Sequence, residues 1–175
     1  MKYHLSVRRS AEAAVIAALY TALTMLVPAA SFGTVQLRVA EALTLLPVLT
    51  PAAIPGLTLG CFLSNLFGLT LGANVAGAWD LLFGTAATLA AAVLTRAWRG
   101  VRLKNRPVLS ALPPIFCNAL VIGLELNIVL FGFSPLGYAL CAAEVAVGQT
   151  LACVLGLLLV SVLEKSGAAK KLFAE

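Results

Sequence analysis

Long apolar runs separated by short polar or proline-marked breaks set the pattern of this chain. A hydrocarbon core about 30 Å thick takes about 20 residues of α-helix, and most of the runs are of that length. They predict helices over about 11–30, 38–50, 54–72, 79–96, 108–132 and 137–163. Pro47, Pro51 and Pro55 mark the turn from the second helix to the third, Asn74 and Gly77 the loop before the fourth, and Ser134 and Pro135 the turn before the sixth. Pro113 and Pro114 fall early in the fifth run, where they either kink the helix or mark its true start. The second run is short for a crossing and gains length only by reaching back through Arg38. The expected fold is an all-α membrane protein, one integral membrane domain with six transmembrane helices.

Composition agrees: of 175 residues 61% are hydrophobic and 11% charged, which excludes an ordinary soluble domain. Cys61, Cys117, Cys141 and Cys153 lie singly in apolar runs, without the paired spacing of a metal site, and read as free thiols in packing positions. The net charge of +5 does not point to nucleic acid, because the basic residues sit at the ends of apolar runs rather than on a folded soluble surface. Of 12 Lys and Arg residues, 11 fall in the segments before the first run, between the fourth and fifth, and after the sixth. Six crossings bring all three segments to one side, which the positive-inside rule makes the cytoplasm, with both termini there. Arg8 and Arg9 before an apolar run resemble a signal peptide, but the run continues for a full span without a clear cleavage site and reads as a retained first helix. The expected location is the cytoplasmic membrane, crossed many times.

Small residues recur at four-residue spacing in the third helix (Gly56, Gly60, Ser64, Gly68), the fourth (Gly84, Thr88, Ala92) and the sixth (Gly148, Ala152, Gly156), rows that let helices approach closely in lipid. Ala14, Ala18 and Ala22 give the first helix a flat ridge, fit either for the protein's own core or for another membrane subunit.

The remaining basic residue, Arg38, is expected on the outer side, amid apolar sequence. Glu12, Glu164 and Glu175 belong to cytoplasmic ends, whereas Glu41, Asp80, Glu125 and Glu144 map to the outer half or interior, with Asn65, Asn118 and Gln149 deeper. An ionisable group there costs several kcal/mol unless a partner or ligand compensates, so these residues outline a pocket open to the outside. Asn118 and Glu125, seven apart, share a helix face, from which Asn127 points away. Simpler readings stand beside this one. Arg38 and Glu41 can pair on one helical turn, Asp80 can be a first-turn acid, the amides can be interhelical glue, and Trp79 can be an aromatic-belt anchor. An excess of acids over bases suits a ligand rich in hydrogen-bond donors or bearing a cation.

VQLRVAEALTLLP (35–47), GLTLGCFLSNLFG (56–68), WDLLFGTAATLAA (79–91) and the Pro113, Pro114, Asn118 set resemble the queuosine-precursor transporter family, over almost the whole chain. The resemblance implies an S-component-like bundle, the substrate-binding subunit of an energy-coupling factor transporter. It implies a 7-deazaguanine ligand, such as queuine or a prequeuosine base, bound outside, and partnership with a membrane scaffold subunit and two ATPases that use the ATP. No cofactor is expected in this chain, and it has no G-x-x-x-x-G-K-[ST] phosphate loop. The substrate-binding set is then Gln36, Arg38, Glu41, Asn65, Trp79, Asp80, Asn118, Glu125 and Glu144, with Ala14, Ala18 and Ala22 docking on the scaffold. Glu125 or Glu144 would read the base edge, Asp80 or Glu41 a cationic arm, and Arg38 with Gln36 would close over the ligand. Rival readings are an S-component for another vitamin or nucleobase, a membrane enzyme, disfavoured because the one histidine is His4, and a channel, disfavoured because the polar residues stop about halfway through the bundle.

Overall fold

The computed structural model describes residues 7–33, 38–103 and 106–173. Within them the order is α1 (Val7–Leu26), a single turn α2 (Pro28–Ser31), a 3-10 helix η1 (Val39–Val48), α3 (Ala53–Thr70), α4 (Trp79–Ala97), a short 3-10 turn η2 (Val108–Ala111), α5 (Leu112–Phe131), α6 (Pro135–Lys165) and α7 (Ala168–Phe173). Four segments among the described residues are long and apolar enough to cross a membrane: α3, α4, η2 with α5, and α6. α1 has the length, 20 residues, but Arg8, Arg9 and Glu12 occupy its first two turns. Pro113 and Pro114 lie in the first turn of α5, where a missing N–H costs nothing, so they start that helix.

The second expected crossing is the main departure. Over 38–50 the chain winds as a 3-10 helix of ten residues rather than an α-helix, and at about 2.0 Å per residue it spans about 20 Å, too little to cross alone. In a 3-10 helix every third residue falls in line, and the sequence has that period. Arg38, Glu41 and Thr44 form a polar row. Ala40, Leu43 and Leu46 pack with Ile16, Tyr20 and Leu57 of α1 and α3. Leu45 and Val48 pack with Ala111, Cys153 and Val160 on the side of α6. Three rows thus meet three environments.

Around η1 the helices pack in sequence, α1 on α3, α3 on α4, α4 on α5, and α5 on α6, with η1 inserted against α6, α4 and α1. The small-residue rows set the closest approaches. A Cβ on Gly56 would lie 2.8 Å from the Ala13 carbonyl oxygen, and one on Gly60 3.0 Å from that of Ala17, so α1 and α3 are in backbone contact. Gly156 does the same for η1, since its Cβ would come 2.5 Å from the carbonyl oxygen of Ala42. Ala14, Ala18 and Ala22 remain exposed on the other side of α1. The four cysteines are free thiols, three of them buried.

The two ends of the bundle differ. At one end Arg8 donates to the carbonyls of Lys171 and Leu172, Arg102 pairs with Glu164 at 2.6 Å, and Arg96 donates to the carbonyls of Pro47 and Val48 at 3.1 and 3.4 Å, capping η1. All three basic segments therefore meet at one end. Asp80, Asn74 and the α5–α6 turn lie at the other. There Gly132 closes α5 in the left-handed region (φ 61°), and Asn127 accepts from the Ser134 N–H at 3.2 Å, a turn-fixing role.

Candidate functional site

Arg38 leaves the start of η1 in extended conformation and enters the bundle almost fully buried. Its Nη2 donates to Asp80 Oδ2 at 2.7 Å, its Nε donates to the Ser31 carbonyl at 2.8 Å, and its guanidinium lies 5.0 Å from the centroid of the Phe32 ring. Asp80 is fully buried in the first turn of α4, where the helix dipole favours a carboxylate. The pair is therefore Arg38 with Asp80, 42 residues away, and not Arg38 with Glu41. Asn74 Nδ2 donates to Asp80 Oδ2 at 3.0 Å, and Asn65 Nδ2 donates to the Asp80 carbonyl at 2.7 Å. Gly84, one turn along α4, leaves room for this cluster, since a Cβ there would overlap Asp80 Oδ1 and stand 2.8 Å from Asn65 Nδ2.

One turn along η1, Glu41 has a different set of neighbours. The Tyr20 hydroxyl donates a short hydrogen bond to its Oε1, and Gln149 Nε2 and Asn118 Nδ2 donate to Oε2 at 3.2 and 3.4 Å. Asn118 also donates to Gln149 Oε1 at 2.9 Å, linking α5 to α6. A carboxylate has about four acceptor positions, and Glu41 fills three among the described residues. Between the two clusters lies a small cavity lined by the polar Arg38, Glu41, Asn118 and Gln149 and by Gly84, Thr88, Ile122 and Val145. Its volume is about 20 Å³, room for one water.

Glu125 sits one turn of α5 beyond Ile122, only 4% exposed. Among the described residues neither of its carboxylate oxygens has a hydrogen-bond partner, and the same holds for Asp80 Oδ1 and Asn65 Oδ1. Four buried acceptor atoms without donors thus lie toward one end of the bundle, where most buried polar atoms find a partner.

Of the residues expected to bind substrate, Arg38, Glu41, Asn65, Asp80, Asn118 and Glu125 come together here. Trp79 does not: it is 58% exposed and packs on the Phe83 ring. Glu144 does not either, because α6 turns Cys141, Val145, Gly148, Gln149 and Ala152 inward and leaves Glu144 exposed. Gln36 lies outside the described residues. Tyr20 and Asn74 were not legible as site residues, although Tyr20 is the one hydroxyl-bearing aromatic within the first apolar run. Gln149, read as interhelical glue, is a direct partner of Glu41.

An apolar helical bundle with four membrane-length segments that encloses an ion pair, two further carboxylates and orphan acceptors defines an integral membrane protein built around a buried polar centre. The chain belongs to the QueT transporter family, which matches residues 10–165 of it. It is therefore a membrane transport protein. Comparison with curated proteins and with solved structures gives no match.

Proposed function

We propose that the chain is the substrate-binding S-component of an energy-coupling factor transporter, taking up a queuosine precursor of the 7-deazaguanine class, such as queuine or a prequeuosine base. The observation that carries this reading is the set of unpartnered buried acceptors on Glu125, Asp80 and Asn65. A deazaguanine offers ring N–H and exocyclic amine donors along one edge, which a carboxylate accepts in bidentate fashion. Glu125 takes that edge, and the free oxygens of Asp80 and Asn65 suit an aminomethyl arm. Arg38 is positioned to donate to a ring carbonyl from its place between Asp80 and the cavity.

The cavity holds about one water, so the ligand enters only when the site opens. η1 carries Glu41 and follows directly on Arg38, and its departure from the bundle would widen the cavity. The meeting of the three basic segments at one end supports a cytoplasmic position for that end, with the acceptor cluster facing outward. The exposed Ala14, Ala18 and Ala22 ridge supports docking on a membrane scaffold, with two partner ATPases supplying the energy.

Titration calorimetry on the purified protein with queuine, aminomethyl- and cyano-deazaguanine, guanine and riboflavin tests the reading. Tight binding of a deazaguanine, with guanine much weaker, is the expected result. Binding of riboflavin alone would reassign the chain to another vitamin, and no binding of any of the five by folded protein would overturn the substrate class.

A further inference from the structure

α4 meets η1 along one ridge. Asp80, Gly84, Thr88, Ala92 and Arg96 follow one another at four-residue spacing and so share a face of α4. Asp80 accepts from the Arg38 guanidinium at 2.7 Å, where η1 begins. Gly84 and Thr88 line the small cavity together with Glu41, and Ala92 is buried in one cluster with Leu43 and Leu46. Arg96 donates to the carbonyls of Pro47 and Val48 at 3.1 and 3.4 Å, where η1 ends. The small middle of the ridge admits η1, and its two charged ends hold it.

The spacing of the anchors bears on the winding of η1. From Asp80 to Arg96 is about 24 Å along α4. The chain from Arg38 to Pro47 covers about 18 Å at the 3-10 rise and only about 14 Å at the α-helical rise. The stretched form therefore brings both ends of η1 closer to the two anchors on α4. A 3-10 helix has poorer hydrogen-bond geometry than an α-helix, and runs beyond about four residues are uncommon. One of ten residues needs support from outside itself, and the two arginine links supply it.

We propose that Arg96 is a positioning residue for the polar centre: by holding the last carbonyls of η1 at the basic end, it keeps η1 extended and so sets where Arg38 and Glu41 stand. Arg96 does not line the cavity, and it acts on the centre through η1. Its effect on a solute rests on the binding role proposed for that centre; its effect on η1 does not.

Amide hydrogen exchange of the ligand-free protein in detergent tests the first step. R96Q should speed exchange in η1 about tenfold, the scale of a lost hydrogen bond from a charged donor, at 39–44 as well as at 48–50. R96K, which keeps a charged donor, should restore most of the protection. K165Q, which removes a charge from the last turn of α6 at the same end, should change nothing in η1. Acceleration confined to 48–50 would reduce Arg96 to a local cap and overturn the proposal, as would equal acceleration in K165Q. Calorimetry reads the second step: R96Q should weaken binding of the deazaguanine that the wild-type protein takes by about fivefold, and R96K by less. Unchanged affinity beside accelerated exchange would overturn the link from η1 to the centre. A wild-type protein that binds no deazaguanine would overturn the substrate reading instead, and the exchange comparison would still decide the role of Arg96 in η1.

Discussion

Glu41 and Glu125 are buried carboxylates of the same polar centre with opposite surroundings. Glu41 receives donors from α1, α5 and α6 and ties three helices to η1. Glu125 receives none among the described residues. Removing a donor from a satisfied acid leaves a buried group short of partners, whereas neutralising an unsatisfied one relieves the protein. One carboxylate therefore serves the fold, and the other is kept against the interest of the fold.

The largest effect is expected at the neighbouring Arg38–Asp80 ion pair. D80A leaves Arg38 buried without a counter-charge, and a loss of about 3–5 kcal/mol is expected, read as a large fall in thermal unfolding temperature in detergent; the double variant R38M/D80A should recover most of it. E125Q is expected to leave stability unchanged or slightly raised while weakening deazaguanine binding on the order of 10- to 100-fold, the scale of a lost charge-assisted hydrogen bond; calorimetry and thermal unfolding on the same sample separate the two effects. Y20F removes one donor from Glu41 and should cost about 1–2 kcal/mol of stability, with a smaller change in affinity than E125Q. E144Q, on the exposed side of α6, should stay within about 0.5 kcal/mol of wild type in both measurements. An E144Q variant that lost binding would return that residue to the site.

Desolvation made Arg38, Glu41, Asp80 and Glu125 readable from the sequence, since ions inside apolar runs require a reason wherever they occur. Their pairing was not readable. Glu41 is three residues from Arg38 and looked like the nearer partner, but η1 places both in one inward row, where Arg38 meets α4 and Glu41 meets α1, α5 and α6. The three-residue period of Arg38, Glu41 and Thr44 was present in the sequence, but a proline-ended apolar run reads as an α-helix unless that period is sought. Glu144 was misplaced because depth along a helix does not fix the side it faces. It lies five residues from Gln149, about 140° around α6, so the two could not both face the cavity. For Glu125 the seven-residue spacing from Asn118 gave the correct face.

The 31 residues of α6 extend about 46 Å at 1.5 Å per residue, against a hydrocarbon thickness of about 30 Å. Such a helix must lean or protrude, and the thickness of the host bilayer sets how far. Because Gln149 on α6 holds Glu41 on η1, a change in that lean acts on the wall of the cavity itself. Membrane thickness thus becomes a load on the polar centre: the same protein in short-chain and long-chain lipid holds that centre under two different mechanical conditions.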